Sequence, residues 1–230
     1  MTSVSTIDDR FRTGKAYTIR QAAYLAEVSP GTVRNWLWGS TTAYGYEMAP
    51  VFGRKDKPEE VAQVSFLELS ELIVAARWRK GRIKLHRIRD AHDFARTEWN
   101  LQYPFAHLNL TTIGGHILRR FEEKYPSAGP SFVVLSSPSQ YVLPDFVLDE
   151  LAQFVYNEAD QFAERWYRYG REIPVVVDPH YAGGKPTIAG RGVSVEILHK
   201  RWKAGESFKS IARDFRLKQG DVEAVLQKVA

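Results

Sequence analysis

Gly183-Gly184-Lys185-Pro186-Thr187 sets a lysine behind two glycines, the beginning of a loop that wraps phosphate. A nucleotide-hydrolysing loop also needs a glycine five residues before its Gly-Lys pair and a hydroxyl directly after the lysine. Pro179 and Pro186 hold those two places. Without the hydroxyl there is no magnesium ligand, so nucleotide hydrolysis is rejected. The six histidines, His86, His92, His107, His116, His180 and His199, show no paired-ligand spacing. A helical metal pair stands four apart, and His86 and His92, six apart, do not share a face. No cysteine supplies a thiolate. The expectation is a protein without catalytic residues, metal or cofactor. A third chemistry survives: an arginine fork suits guanine and a carboxamide suits adenine, and Arg34 and Asn35 stand side by side.

The elements around Arg34 and Asn35 are readable. Thr18 and Gln21 have the spacing of a capping box, and Ile19, Ala22, Ala23 and Ala26 then form one apolar helical face. Ala23 is small where two helices would cross. Ser29-Pro30 starts a second helix, with serine as its cap and proline in the first turn. Val33, Trp36 and Leu37 face inward, which leaves Gly31, Thr32, Arg34 and Asn35 outward. No acid lies between Glu27 and Glu47 to repel phosphate. Such a helix can present its first turn to a major groove. Trp38 to Tyr46, ending near Arg54-Lys55-Asp56-Lys57, mixes glycine with aromatics and reads as a small hairpin. Ser65 and Glu68 form another capping box, opening a helix with Phe66, Leu69, Ile73 and Ala76 as its stripe and Gly81 as its stop. A further helix turns Ile88, Ala91 and Ala95 inward.

Thr18 to Leu25 followed by Thr32-Val33-Arg34-Asn35-Trp36 resembles a MerR-like winged helix. In that fold the second helix and the wing touch DNA. The resemblance implies DNA contacts from Thr32, Arg34 and Asn35, and more loosely from Arg20, Tyr44 and Arg54. It covers about the first 95 residues.

The charge pattern adds two stretches. Arg77 to Arg89 holds seven basic residues and no acid, and reads either as a track for phosphates or as a solvated helix end. Asp145 to Glu164 holds six acids and no base, a poor DNA surface and a better protein-facing one. In the middle, Phe105 to Leu110 alternates as a strand, Thr112 to Gly115 reads as a turn, and His116-Ile117-Leu118 as the return strand. Phe132 to Leu135 and Tyr141 to Leu143 read as further strands. Pro144 opens a helix expected to run from Asp145 to about Arg165.

The last fifty residues begin with a strand, Ile173 to Val177, and a glycine-rich turn. Ser194, Ser207 and Asp221 each open a short helix, with Ile197, Leu198 and Trp202, then Phe208, Ile211, Ala212 and Phe215, then Val222, Val225 and Leu226 inward. Asp221 and Glu223 would face phosphate at close range, so this module reads as a packing or dimerising unit. Gly184-Lys185-Pro186-Thr187-Ile188-Ala189-Gly190 resembles the Gly-Lys-Pro-x-Ile-x-Gly pattern of VapB-like antitoxins. The chain departs at Arg191 and Gly192, where the family has threonine then arginine.

The expected fold class is mainly α with small β-hairpins and strands, an α+β arrangement. It divides into a winged helix-turn-helix over 1–100, a hairpin and connecting helix over 101–165, and a helix-turn-helix-like three-helix domain over 166–230. The net charge of +5 is compatible with nucleic acid. The start, Met1 to Ser5, is polar, and no apolar run reaches membrane-spanning length, so a cytoplasmic protein is expected. Together the two resemblances imply an antitoxin that silences a cognate VapC-like PIN-domain ribonuclease toxin and binds its own operator DNA, as a homodimer. Asp149, Glu150, Glu158 and Asp160 are the candidate toxin-binding acids, able to occlude a basic RNA-binding face. The alternative is a stand-alone MerR-like regulator that responds to an effector.

Overall fold

Short polar side chains decide where the helices of the first eighty residues begin. Thr18 and Gln21 close a reciprocal capping box, and Ser65 and Glu68 close another. Ser29 accepts from the amide of Thr32. Each side chain satisfies an amide that the helix itself leaves without a partner. The computed structural model describes residues 9–54, 63–126, 129–137 and 140–229. The polar start of the chain and the expected end of the wing at Lys55 to Lys57 lie outside the described residues.

The architecture is α+β and mainly helical, as expected, with eleven α-helices and ten short strands among the described residues. It forms two compact units, Met1–Ala152 with Tyr156–Ala163, and Gln153–Val155 with Glu164–Ala230. The first unit runs α1 (Arg10–Thr13), β1 (Tyr17–Thr18), α2 (Ile19–Ala26), α3 (Pro30–Trp38), β2 (Ser40–Thr41), β3 (Glu47–Met48), β4 (Gln63–Val64), α4 (Phe66–Lys80) and α5 (Leu85–Trp99). A 3-10 turn at Pro104–Ala106 follows, then α6 (Asn109–Thr112), α7 (Gly114–Lys124), β5 (Val134–Ser137), β6 (Gln140–Val142) and α8 (Asp145–Leu151). β1 pairs antiparallel with β4, β2 with β3, and β5 with β6.

The core of this unit is α4. Phe66, Leu67, Leu69, Leu72, Ile73 and Trp78 are all buried, on every side of the helix, against α1, α2, α8 and the 3-10 turn. A helix apolar all round must be enclosed. The ring of Trp78 meets Phe105 and Phe132 edge-on, with centroids 4.7 and 5.3 Å away. Two acids are enclosed with it. Glu68 takes Lys15 at 2.7 Å, and Glu71 accepts from His92 Nε2 at 3.0 Å and from the Phe105 amide at 3.2 Å. Arg12 grips Asp160 with both terminal nitrogens, one at 2.9 Å, and ties α1 to the segment just before residue 163.

The middle departs from the strand expectation. Phe105 to Leu118 forms the 3-10 turn, α6 and the start of α7, not a hairpin. Ile117, Leu118 and Phe121 lie on one buried helical face, and the apparent alternation from Phe105 is too short to outweigh that period. Gly114 and Gly115 are not a turn. They sit inside the first turn of α7, where a Cβ on Gly115 would come within 2.1 Å of the Tyr141 carbonyl oxygen. The glycine is there for close approach to β6. The two strands expected at Phe132 to Leu135 and Tyr141 to Leu143 are present, shortened, as β5 and β6, which pair antiparallel.

The helix expected from Asp145 to about Arg165 stops at Leu151. Two strands follow, β7 (Phe154–Tyr156) and β8 (Ala163–Tyr167). Between them the Asn157 carboxamide accepts from the amides of Ala159 and Asp160 at 3.0 and 3.3 Å. Such an asparagine turn reverses the chain and competes with helix.

The second unit carries an antiparallel sheet of order β10-β9-β8-β7, with β9 at Val175–Val177 and β10 at Thr187–Ile188. A 3-10 turn at Ala182–Gly184 joins β9 to β10, with Gly183 and Gly184 at positive φ of 61° and 74°. Helices α9 (Val195–Lys203), α10 (Phe208–Phe215) and α11 (Gln219–Val229) complete it, α9 and α10 capped by Ser194 and Ser207 as expected. Leu198, Ile211, Ala212, Val222, Val225 and Leu226 close over Val175 and Ile188. Ile197 is an exception to the expected inward set: it is 47% exposed, because Leu198 takes the inward place on α9.

Within the first unit, burial alone would depress the pKa of His92, but the charge of Glu71, with Asp93 beside it, outweighs that and raises it to about 9. A raised imidazole pKa adds stability that is whole below the ordinary value of 6.5 and is lost as pH climbs through 9. Urea unfolding followed from pH 6.5 to 9.5 is expected to lose on the order of 2–3 kcal/mol through this pair. In His92→Gln the loss over that window is expected to shrink, and an equal loss in both proteins would contradict the assignment.

Candidate nucleic-acid interface

Helices α2 and α3 are joined by a left-handed residue, Glu27, with φ 56° and ψ 41°. The Val28 amide then bonds back to the Ala23 carbonyl at 3.0 Å. Ala22 and Ala23 are fully buried, so the two helices approach without intervening side chains. Val33, Trp36 and Leu37 of α3 point into the core, while Gly31, Arg34 and Asn35 are exposed and Thr32 is half-buried. This is the division expected from sequence. The Thr32 hydroxyl shares a hydrogen bond with Ser29 at 2.8 Å. The exposed N-terminal turn of α3 carries the positive end of the helix dipole, which favours phosphate.

The hairpin follows at once. β2 and β3 pair Ser40 with Met48 and Thr41 with Glu47. At its tip the Thr42 amide bonds to the Tyr46 carbonyl at 2.8 Å, and Gly45 takes φ 81°. Tyr44 is 90% exposed and Tyr46 73%. The hairpin's root is bound to α3. The amides of Val51 and Phe52 both donate to the Trp36 carbonyl, and the Arg54 amide to that of Leu37. Arg89 of α5 donates to the carbonyls of Ala49 and Pro50.

Of the six residues expected at DNA, the structure brings Thr32, Arg34 and Asn35 together on α3, with Tyr44 on the adjoining hairpin. Arg20 is exposed near the start of α2. Arg54 is held inside. Its Nη1 donates to the Gln63 carbonyl at 2.8 Å, its Nε lies 3.6 Å from Glu68, and its guanidinium covers the Trp38 ring at 4.8 Å. That geometry makes it a brace between α3 and β4. The basic stretch Arg77 to Arg89 is divided likewise. Arg77 pairs with Glu150, and Arg87 is buried, donating to the Tyr125 carbonyl and covering Phe121. Arg79 donates to the Ile83 carbonyl, and Lys80, Arg82 and Lys84 are exposed. The bracing roles of Arg54, Arg87 and Arg89 leave no mark in sequence, because each donates to a backbone carbonyl well removed along the chain.

The four candidate acids do not share one helix. Asp149 is exposed on α8, and Glu150 beside it is buried against Arg77. Glu158 is exposed in the turn after β7, and Asp160 there is held by Arg12. The ion pair and hydrogen bonds from Arg12 and the Phe162 amide hold the Asp160 pKa below the ordinary carboxylate value, against the effect of burial.

Arg54→Gln is expected to lower unfolding stability by about 1–2 kcal/mol, since it strips partners from the Gln63 carbonyl and Glu68. Arg34→Ala, at an exposed position without a hydrogen bond or ion pair among the described residues, should stay within about 0.5 kcal/mol of the parent. Equal losses in the two variants would undo the distinction between a bracing arginine and an exposed one.

Residues 175–227, from β9 almost to the end of α11, match the family described as "Protein of unknown function (DUF433)". The chain is 25% identical over 236 residues to "Putative antitoxin VapB45" of Mycobacterium tuberculosis (strain ATCC 25618 / H37Rv), a match covering 93% of each protein. It also resembles the X-ray crystal structure of Rv2018 from Mycobacterium tuberculosis, with a TM-score of 0.76 and 22% identity, over 92% of this chain and 97% of that one. The two share a fold.

Proposed function

We propose that this chain is an antitoxin which binds operator DNA through α3 and the β2–β3 hairpin and silences a VapC-like PIN-domain ribonuclease. The observation that carries the DNA half is the exposed set Gly31, Arg34 and Asn35 on α3, with Thr32 at its edge, beside a hairpin tipped by two exposed tyrosines. The helix pair and hairpin act as a winged helix-turn-helix. Arg34 takes guanine, Asn35 takes adenine, and Thr32 and Arg20 position the backbone. Tyr44 lies along the neighbouring phosphates. A homodimer sets two such helices about one helical turn of DNA apart and reads a palindrome. The toxin half is supported by likeness along nearly the whole chain to a protein whose name is that of an antitoxin.

For the toxin contact, Asp149 and Glu158 are the acids with exposed side chains, and Glu150 and Asp160 fix the segments that carry them. The pair neutralises a basic RNA-binding face on the toxin. No helix among the described residues is long and apolar enough to cross a membrane. Among them no cluster of histidines and acids is placed to hold a metal either.

Fluorescence anisotropy with the DNA upstream of the chain's own gene tests the first half. Arg34→Ala and Asn35→Ala should each weaken binding roughly tenfold or more and relax base preference, since a good bidentate pair discriminates by about 1–3 kcal/mol. Parent-like affinity in both variants would remove α3 from the DNA.

Co-expression with the product of the adjacent gene tests the second half, read as co-purification and rescue of growth. Asp149→Lys with Glu158→Lys should abolish capture while the thermal midpoint stays unchanged. Unimpaired capture would sink the acidic contact. Absence of any complex with the parent protein would favour a stand-alone regulator.

A further inference from the structure

A cleft of about 460 Å³ opens in the first unit, lined by Lys15, Leu37, Phe52, Arg54, Arg96 and Tyr103, with Glu68, Glu71 and His92 forming its charged wall. Its size suits a single-ring small molecule. Both acids on the wall are already neutralised from within. Glu68 holds Lys15 and the capping amide of Ser65, and Glu71 holds His92 and the Phe105 amide. The cations are not used up to the same degree. Arg96 is exposed and its side chain makes no hydrogen bond or ion pair among the described residues. Lys15 keeps 43% of its side chain in solvent. His92 is 1% exposed, and its Nδ1 has no hydrogen-bond partner among the described residues, with Asp93 the nearest carboxylate at 3.6 Å. Burial first, and then the charges of Glu68 and Glu71, push the Tyr103 phenol up to about 12, so it stays a donor at neutral pH. Its oxygen accepts from Gln102 at 3.1 Å, leaving its proton to give.

We infer that this cleft binds a small organic anion, its ring or chain against Phe52, Leu37 and Tyr103 and its carboxylate or phosphate against Arg96 and Lys15. Of the four cationic side chains at the cleft, Lys15 and Arg54 pair with Glu68 and His92 with Glu71, so Arg96 is left over and the wall carries an excess of positive charge. A charged donor desolvated by a ligand binds an anion far more strongly than one left in water. The apolar side chains select against free inorganic ions. The site stands whether or not α3 reads DNA, although its walls include Leu37 and Phe52, which close the end of that helix.

The test is calorimetric titration of the full chain with phenyl phosphate, with benzoate and with benzylamine at matched ionic strength. At least one of the two anions should bind, and benzylamine should not. Binding of phenyl phosphate alone assigns a phosphate ligand, of benzoate alone a carboxylate, and of both an anion of either kind. Arg96→Gln, at an exposed position, should weaken the binding anion about tenfold or more with an unchanged melting curve, and Tyr103→Phe should weaken it less. The inference is overturned if neither anion binds, if benzylamine binds equally well, or if Arg96→Gln leaves the affinity intact.

Discussion

The first unit depends on one constraint: α4 is enclosed on every side from Phe66 to Ala75, yet that stretch carries Glu68 and Glu71. A carboxylate taken out of water without partners would cost more than the apolar burial around it returns. The surrounding elements answer that demand. Lys15 arrives from the segment before β1, Arg54 from the end of the hairpin, His92 from α5, and the Phe105 amide from the 3-10 turn. Each is drawn to the same helix by charge, so the acids set where α5, the 3-10 turn and the hairpin root can sit. Hydrophobic contact alone would tolerate a helix rotated by a fraction of a turn. Two carboxylates with fixed partners tolerate much less.

That arrangement explains why α3 presents the face it does. Arg54 reaches Glu68 and the Gln63 carbonyl while covering Trp38, the last residue of α3. Arg89 holds the strand exit at Ala49 and Pro50. The end of α3 and the root of the hairpin are thereby fixed to α4 and α5, and only the outward residues remain for a partner. Much of the positive charge in this unit is structural. A count of lysines and arginines overstates the surface offered to phosphate, because Arg12, Arg54, Arg77, Arg87 and Arg89 are directed at the protein's own acids and carbonyls.

What was legible in the sequence follows the range of the interactions concerned. The caps at Thr18, Ser29, Ser65, Ser194 and Ser207 act over two or three residues and were read correctly. So was the division of α3 into an apolar and a polar face, which needs only helical period. What is not legible is decided by distant parts of the chain. Gly114 and Gly115 have the look of a turn in isolation, and only the approach of Tyr141 explains a glycine inside a helix there. The acids from Asp145 to Glu164 suggested one helical surface, but Asn157 breaks it with its own hydrogen bonds, and Glu150 and Asp160 were claimed by Arg77 and Arg12. The Arg12 and Asp160 partnership spans 148 positions, and no local pattern announces it.

The same logic separates the two glycine-rich motifs. Gly183 and Gly184 sit at positive φ and bend the chain between β9 and β10, which Lys185 then leaves with its side chain exposed. A phosphate loop would need the amides of such a turn to converge on a ligand at a helix start. Here the next element is the strand β10, whose Ile188 packs into the core of α9, α10 and α11. The glycines therefore serve the sheet, and the lysine behind them is a surface charge near Glu196, 3.8 Å away. A motif that reads as chemistry in one dimension becomes a piece of topology once the element after it is known.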